Sequence, residues 1–133
     1  MVGMIGDELR SRTRQFGLDV IELCLQLGTD DLGRLVRPQL LRAGTGVAAN
    51  HRAASRGRSR REFVARISVV IEEADESEWW LDVLETRRYG PSRLVKSLRQ
   101  EASELCAIFV ASKTTARSRA SKARKKGEPP ATG

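Results

Sequence analysis

Apolar residues recur along this chain in steps of three and four, never in the strict alternation of a half-buried strand. The cleanest run is Phe63, Ile67, Val70, Ala74, Ser77, Leu81 and Leu84. Val64 and Ile71 widen it to the breadth of a bundle helix. This spacing predicts a helix over residues 59–87. Ser59 caps its start, and Glu62 three residues on completes a capping-box pattern. A second seam, Val36, Leu40, Ala43, Val47, Asn50 and Ala54, predicts a helix over about 34–54. Pro38 sits awkwardly in it. Proline lacks an N–H, so this helix either starts near Arg37 or kinks there. Gly44 and Gly46 weaken the helix but permit a close approach of another.

Upstream, Leu9, Phe16, Val20, Leu23, Cys24 and Leu27 predict a helix over 7–27. The Gly28-Thr29-Asp30-Asp31 run ends it and offers cap oxygens to the next. Downstream of the breaker Tyr89-Gly90-Pro91, Ser92 is the expected cap of a last helix over 92–115. Its inward positions are Leu94, Leu98, Ala102, Leu105, Ile108, Phe109 and Ser112. Short connections make consecutive helices antiparallel neighbours. The expected architecture is therefore all-α, an up-down-up-down four-helix bundle over 7–115. A flexible N-terminus, 1–6, precedes it, and a disordered basic tail, 116–133, follows, having no apolar face to bury.

Antiparallel register pairs Ala54 with Phe63, Val47 with Val70 and Ala43 with Ala74. It sets Arg42 level with Asp75, within reach of Glu76 and Glu78, and predicts an ion pair there. Asn50 falls on the seam as a buried amide that fixes register. Trp80 flanks the third helix's seam and Trp79 points outward, which marks both as an oligomer interface. Glu101 and Glu104 are placed to meet first-helix arginines such as Arg14. Cys24 and Cys106 lie on inward stripes as small core residues.

Charge changes this picture. The formal net charge is +7. Residues 116–133 hold six basic groups against Glu128, so that tail carries +5 and the rest +2. Residues 34–66 hold nine arginines and one acid, and residues 67–86 hold seven acids and no base. Arg52, Arg56, Arg58, Arg60 and Arg61 around the second turn, with Arg117, Arg119, Lys122, Arg124, Lys125 and Lys126 in the tail, are the candidate phosphate contacts. Such contacts are electrostatic and sequence-independent. A basic region beside an acidic one suits internal salt bridges, or a protein-interaction module whose subunits pair through them without nucleic acid, as readily. Aromatics do not interleave with the arginines, so base stacking is not indicated.

Other chemistry finds no support. Two cysteines and one histidine, His51, exclude a zinc site. The acids lack the Glu-x-x-His pairs of a di-iron bundle. No nucleophile–base pair or phosphate-binding glycine loop occurs. His51 reads as a surface or interface residue. The expectation is a non-enzymatic protein with no catalytic residues, cofactor, metal or small-molecule substrate. No apolar run reaches the length of a membrane span. With no visible signal peptide, a cytoplasmic protein with reduced thiols is expected.

The placed residues resemble a known family. Arg42 to Thr45, Ala49-Asn50-His51-Arg52, Ser59 to Phe63, and Glu73-Ala74-Asp75-Glu76 to Trp80-Leu81 follow its motifs in order. The family is that of bacterial four-helix bundle proteins related to those encoded in 23S ribosomal RNA intervening sequences. The resemblance spans roughly residues 16–109. Gly46 departs where serine is common, His51 where tyrosine is common, and Ala53 where many members have glutamate. The family is not known for an enzymatic activity. In fold it resembles the accessory variability proteins of diversity-generating retroelements. That likeness implies a homo-oligomer, a pentamer, that binds RNA or DNA and an accessory protein such as a reverse transcriptase.

Overall fold

The computed structural model describes residues 6–127 as four helices: α1 (Gly6–Leu25), α2 (Asp31–Ser55), α3 (Arg60–Thr86) and α4 (Ser92–Lys125). Each helix packs on its chain neighbours, and α4 closes back onto α1, so α1 and α3 are diagonal. This is the expected four-helix bundle. Its centre is largely apolar: Phe16, Val20, Leu40, Val47, Ile67, Val70, Leu81, Leu105 and Phe109 are all buried. Burying one such side chain stabilises the fold by roughly 1.5–3 kcal/mol.

One helix begins earlier than the periodicity suggests, and another starts where expected but with a different cap. α2 starts at Asp31, because the Asp30 side chain accepts the Gly33 N–H at 3.0 Å and caps the helix there. Pro38 therefore neither opens the helix nor marks a start; it lies two turns inside. Pro38 and Arg34 both face solvent, so water can reach the Arg34 carbonyl that lacks an N–H partner. α4 starts with Pro91 at its cap position, so Ser92 is the first helical residue and does not cap. At α3 the Ser59 hydroxyl accepts the Glu62 N–H at 3.0 Å. Glu62 answers by accepting the Arg58 N–H at 3.3 Å, one residue earlier than a capping box requires.

The larger correction concerns the tail. α4 does not stop near Thr115 but runs on to Lys125, a rod of about 51 Å. The reason is the length of its partner. Arg99 pairs with Asp82 at 3.2 Å and with Glu85 at 2.6 Å, which fixes an antiparallel register. In that register α3's first turns, from Arg60, lie beside the 120s of α4. Ala116 and Ala120 are half-buried there and Ala123 is buried. The stretch 116–125 is helical rather than disordered because small alanines give it a face to bury. The expectations for residues 1–5 and 128–133 lie outside the described residues.

α1 and α2 approach closely at glycines. A Cβ on Gly44 would meet both Val20 methyls at 2.7 Å, and one on Gly17 would meet the Ala48 Cβ at 3.3 Å. The end of α1 is capped by a side chain from α2. Arg37 donates to the carbonyls of Cys24 (3.3 Å), Leu27 (2.9 Å) and Gly28. Tyr89 donates to Asp30 and so ties the α3–α4 turn to the same corner.

Candidate nucleic-acid and subunit interfaces

The helical tail changes the geography of charge. Up-down topology puts the α2–α3 turn and the end of α4 at the same end of the bundle. Arg52, Arg56, Arg58 and Arg61 are exposed there and Arg60 is half-exposed. Arg117, Arg119, Lys122, Arg124, Lys125 and Lys126 are exposed on the last turns of α4. Two clusters far apart in sequence thus form one cationic end. Acids at this end are few among the described residues. Glu62 holds the Arg66 guanidinium at 3.1 Å, and its carboxyl lies below the usual range because it accepts from the Arg58 backbone and from Arg66. Asp7 and Glu8 stand in the first turn of α1, where Asp7 pairs with Arg10. Lys122, Arg124 and Lys125 also occupy the last turn of α4, where cations suit the helix dipole.

The other charged surface is the acidic stretch of α3. Arg42 reaches Glu76 at 2.8 Å and lies 4.0 Å from Glu73. Glu78 does not join this pair. It turns towards α4, where its charge acts on Arg99 and Cys106. Glu73 lies over Gly46, and a Cβ there would come within 3.0–3.2 Å of its carboxylate. Its Oε2 is buried without a hydrogen bond, and burial raises its pKa against the pull of Arg42. Trp79 is 58% exposed. Trp80 is half-buried against the core, and its indole N–H donates to Glu76 at 3.3 Å. Their rings meet edge-on, with centroids 6.4 Å apart.

Asn50 and His51 exchange their expected positions. Asn50 is only half-buried and His51 is 4% exposed. An α-helix repeats every 3.6 residues, so a strict heptad drifts, and beyond Val47 the buried stripe steps to 51 rather than 50. His51 Nδ1 lies 3.5 Å from the Thr13 hydroxyl, and its ring sits 5.6 Å from that of Phe109. Burial, aided by Arg10, lowers its pKa. Above the unfolded histidine pKa of about 6.5, folded and unfolded chains are both neutral at this site. Below it the unfolded chain takes up the proton more readily than the folded one, so stability is full at neutral pH and is lost as pH falls towards the lowered folded value. Between pH 7.5 and 5.5 the native chain is expected to lose more stability than a His51→Phe variant, by at most about 1.4 kcal/mol. Urea unfolding of both proteins at the two pH values checks this.

The α1–α4 link belongs to Arg12, not Arg14. Arg12 donates to Glu101 at 2.7 Å through Nε and Nη2 and to Glu104 at 2.8 Å, which holds its guanidinium firmly charged, while Arg14 stays exposed. Cys24 is buried and its thiol is pushed up to about 11 by that burial; Cys106 is half-buried, and both are free. No group of three or more potential metal-binding side chains exists among the described residues. Nor is any described helix long and apolar enough to cross a membrane.

Fold and surface together define a small all-α bundle protein with one cationic end and one acidic helix face. The profile of the 23S rRNA-intervening sequence protein family matches residues 8–111, and the chain belongs to that family. A protein of unknown function from the S23 ribosomal protein family of Bacteroides thetaiotaomicron has the same fold in its crystal structure. It is 24% identical, with a TM-score of 0.71 over 77% of this chain and 95% of that one. No curated protein matches this chain.

Proposed function

We propose that this chain is a non-enzymatic, homo-oligomeric bundle that binds RNA or DNA without sequence preference through its cationic end. One observation carries the reading: α4 continues along α3 and delivers its six terminal cations to the end that already holds the α2–α3 arginines. Like charges crowded on a folded surface repel, and a polyanion relieves that repulsion while releasing its own counterions. The cations project from three helix ends and a turn, with no aromatic interleaved among them, so they suit a phosphate backbone rather than base edges. Trp79 and Trp80 on the acidic face of α3 are the proposed subunit contact. A ring of five copies, as the family resemblance implies, would repeat the cationic end around one rim.

A salt titration of binding to unrelated RNA and DNA tests this. Neutralising about six phosphates gives a log–log slope of about −5. All sequences are expected to bind alike at low salt. No binding at low salt, or a flat salt response, would overturn the reading.

A further inference from the structure

The outer side of the α1–α2 pair carries apolar residues with no cover. Leu18 is 41% exposed, Ile21 37%, Leu25 75% and Leu41 37%. Steps of three and four put Leu18, Ile21 and Leu25 on one flank of α1. Gly17 against Ala48 and Gly44 against Val20 fix the α1–α2 register. That register sets Leu41 in height between Ile21 and Leu25, on the flank of α2 that adjoins them. The four side chains therefore form one stripe. Arg14 and Arg52, both exposed, bracket one end of it, and one exposed acid, Glu22, borders it between Leu18 and Leu25. Arg34, joined to Asp31 at 2.8 Å, stands at the other.

From this stripe we infer a docking surface for the outer face of α3 of a second copy of this chain. The inference rests on Trp79 being a subunit contact and names what that contact meets. Trp79 is the largest exposed apolar side chain on α3. Glu72, Asp75 and Glu76 lie seven, four and three residues before it, so they share its side of the helix. Glu72 and Asp75 are exposed. The exposed Glu72 and Asp75 beside Trp79, with Glu76 already held by Arg42, complement an apolar stripe bracketed by arginines in sign, and both faces offer apolar surface to bury. Stripe against stripe, by contrast, would set arginine on arginine. Because α1 and α3 are diagonal, the two faces point to different sides of one bundle. The junction is therefore heterologous, head to tail, and repeats into a ring or a filament rather than closing as a two-fold dimer.

Two single substitutions and their mixture decide this. Leu25→Asp spoils only the stripe, and Trp79→Asp spoils only the α3 face. Both positions are exposed, so circular dichroism should show both variants folded. By light scattering the wild-type chain is expected to be a multimer, and each variant alone should fall to one chain, 14.8 kDa. An equimolar mixture should recover a species of twice that mass, because one native junction remains between the intact stripe of Trp79→Asp and the intact α3 face of Leu25→Asp. A monomeric wild type, variants that keep the wild-type mass, or a mixture that stays monomeric would each overturn the inference. Nucleic-acid binding by the monomeric variants is measured separately, so a failed cationic end and a failed junction give different results.

Discussion

Reversing Lys122, Lys125 and Lys126 to glutamate is expected to weaken nucleic-acid binding at least about a hundredfold at moderate salt. All three are exposed on the last turns of α4, so their loss leaves the core intact. A cation near an anionic surface contributes about 1 kcal/mol, which for three gives the stated factor before the added repulsion counts. The salt slope should shrink by about three. A control with the same change in net charge, glutamate at Arg87, Arg93 and Lys96, acts at the opposite end of the bundle. It should shift affinity much less. Fluorescence anisotropy with one labelled RNA at several salt concentrations separates the two. Equal losses would mean that net charge, not a built end, drives the binding. Since α4 and the α2–α3 turn act together, replacing Arg58, Arg60 and Arg61 should produce a loss similar to that of the α4 lysines.

Gly33→Ala is expected to destabilise the fold by about 3 kcal/mol, an overpacking effect at the upper end of its usual range. A Cβ at this position would lie 1.9 Å from the Gly28 carbonyl oxygen and 2.8 Å from the Tyr89 hydroxyl. The first of these is backbone and has no rotamer to escape into. The 28–30 loop would have to move, and with it the Arg37 bonds to Leu27 and Gly28, the Asp30 cap and the Tyr89 tie. Alanine's better helix propensity, about 1 kcal/mol, does not offset that. Gly46→Ala is the informative contrast. The atoms nearest its new methyl would all belong to the Glu73 carboxyl, the far end of a flexible side chain. Stability there should change by no more than about 1 kcal/mol, with either sign. Urea unfolding, with the midpoint shifted and the m-value unchanged, reads both.

The seam of α3 was legible because a long apolar stripe at helical spacing admits one burial geometry. The core residues Ile67, Val70, Ala74, Ser77, Leu81 and Leu84 are those the periodicity selects. The end of α4 was not legible by the same method. Its inward residues are the half-buried Ala116 and Ala120 and the buried Ala123, set among arginines and lysines, and alanine barely registers as hydrophobic. Steps of four and three between those alanines are the signal that could have extended the helix. Arg12 rather than Arg14 holds Glu101 for a related reason: both are first-helix arginines, and only the rotation of α1 against α4 separates them.

The order of hydrophobic and polar residues alone determined four helices, their antiparallel order and a centre filled by leucine, valine and phenylalanine. Local spacing suffices for this, because each amphipathic helix must hide one face and short turns leave few ways to do so. Tertiary packing alone decided that His51 is inside, that Glu78 turns to α4, and that two basic clusters share one end. Those outcomes depend on how far one helix extends beside another and how it is rotated, quantities set by all four surfaces at once and by no single stretch of chain.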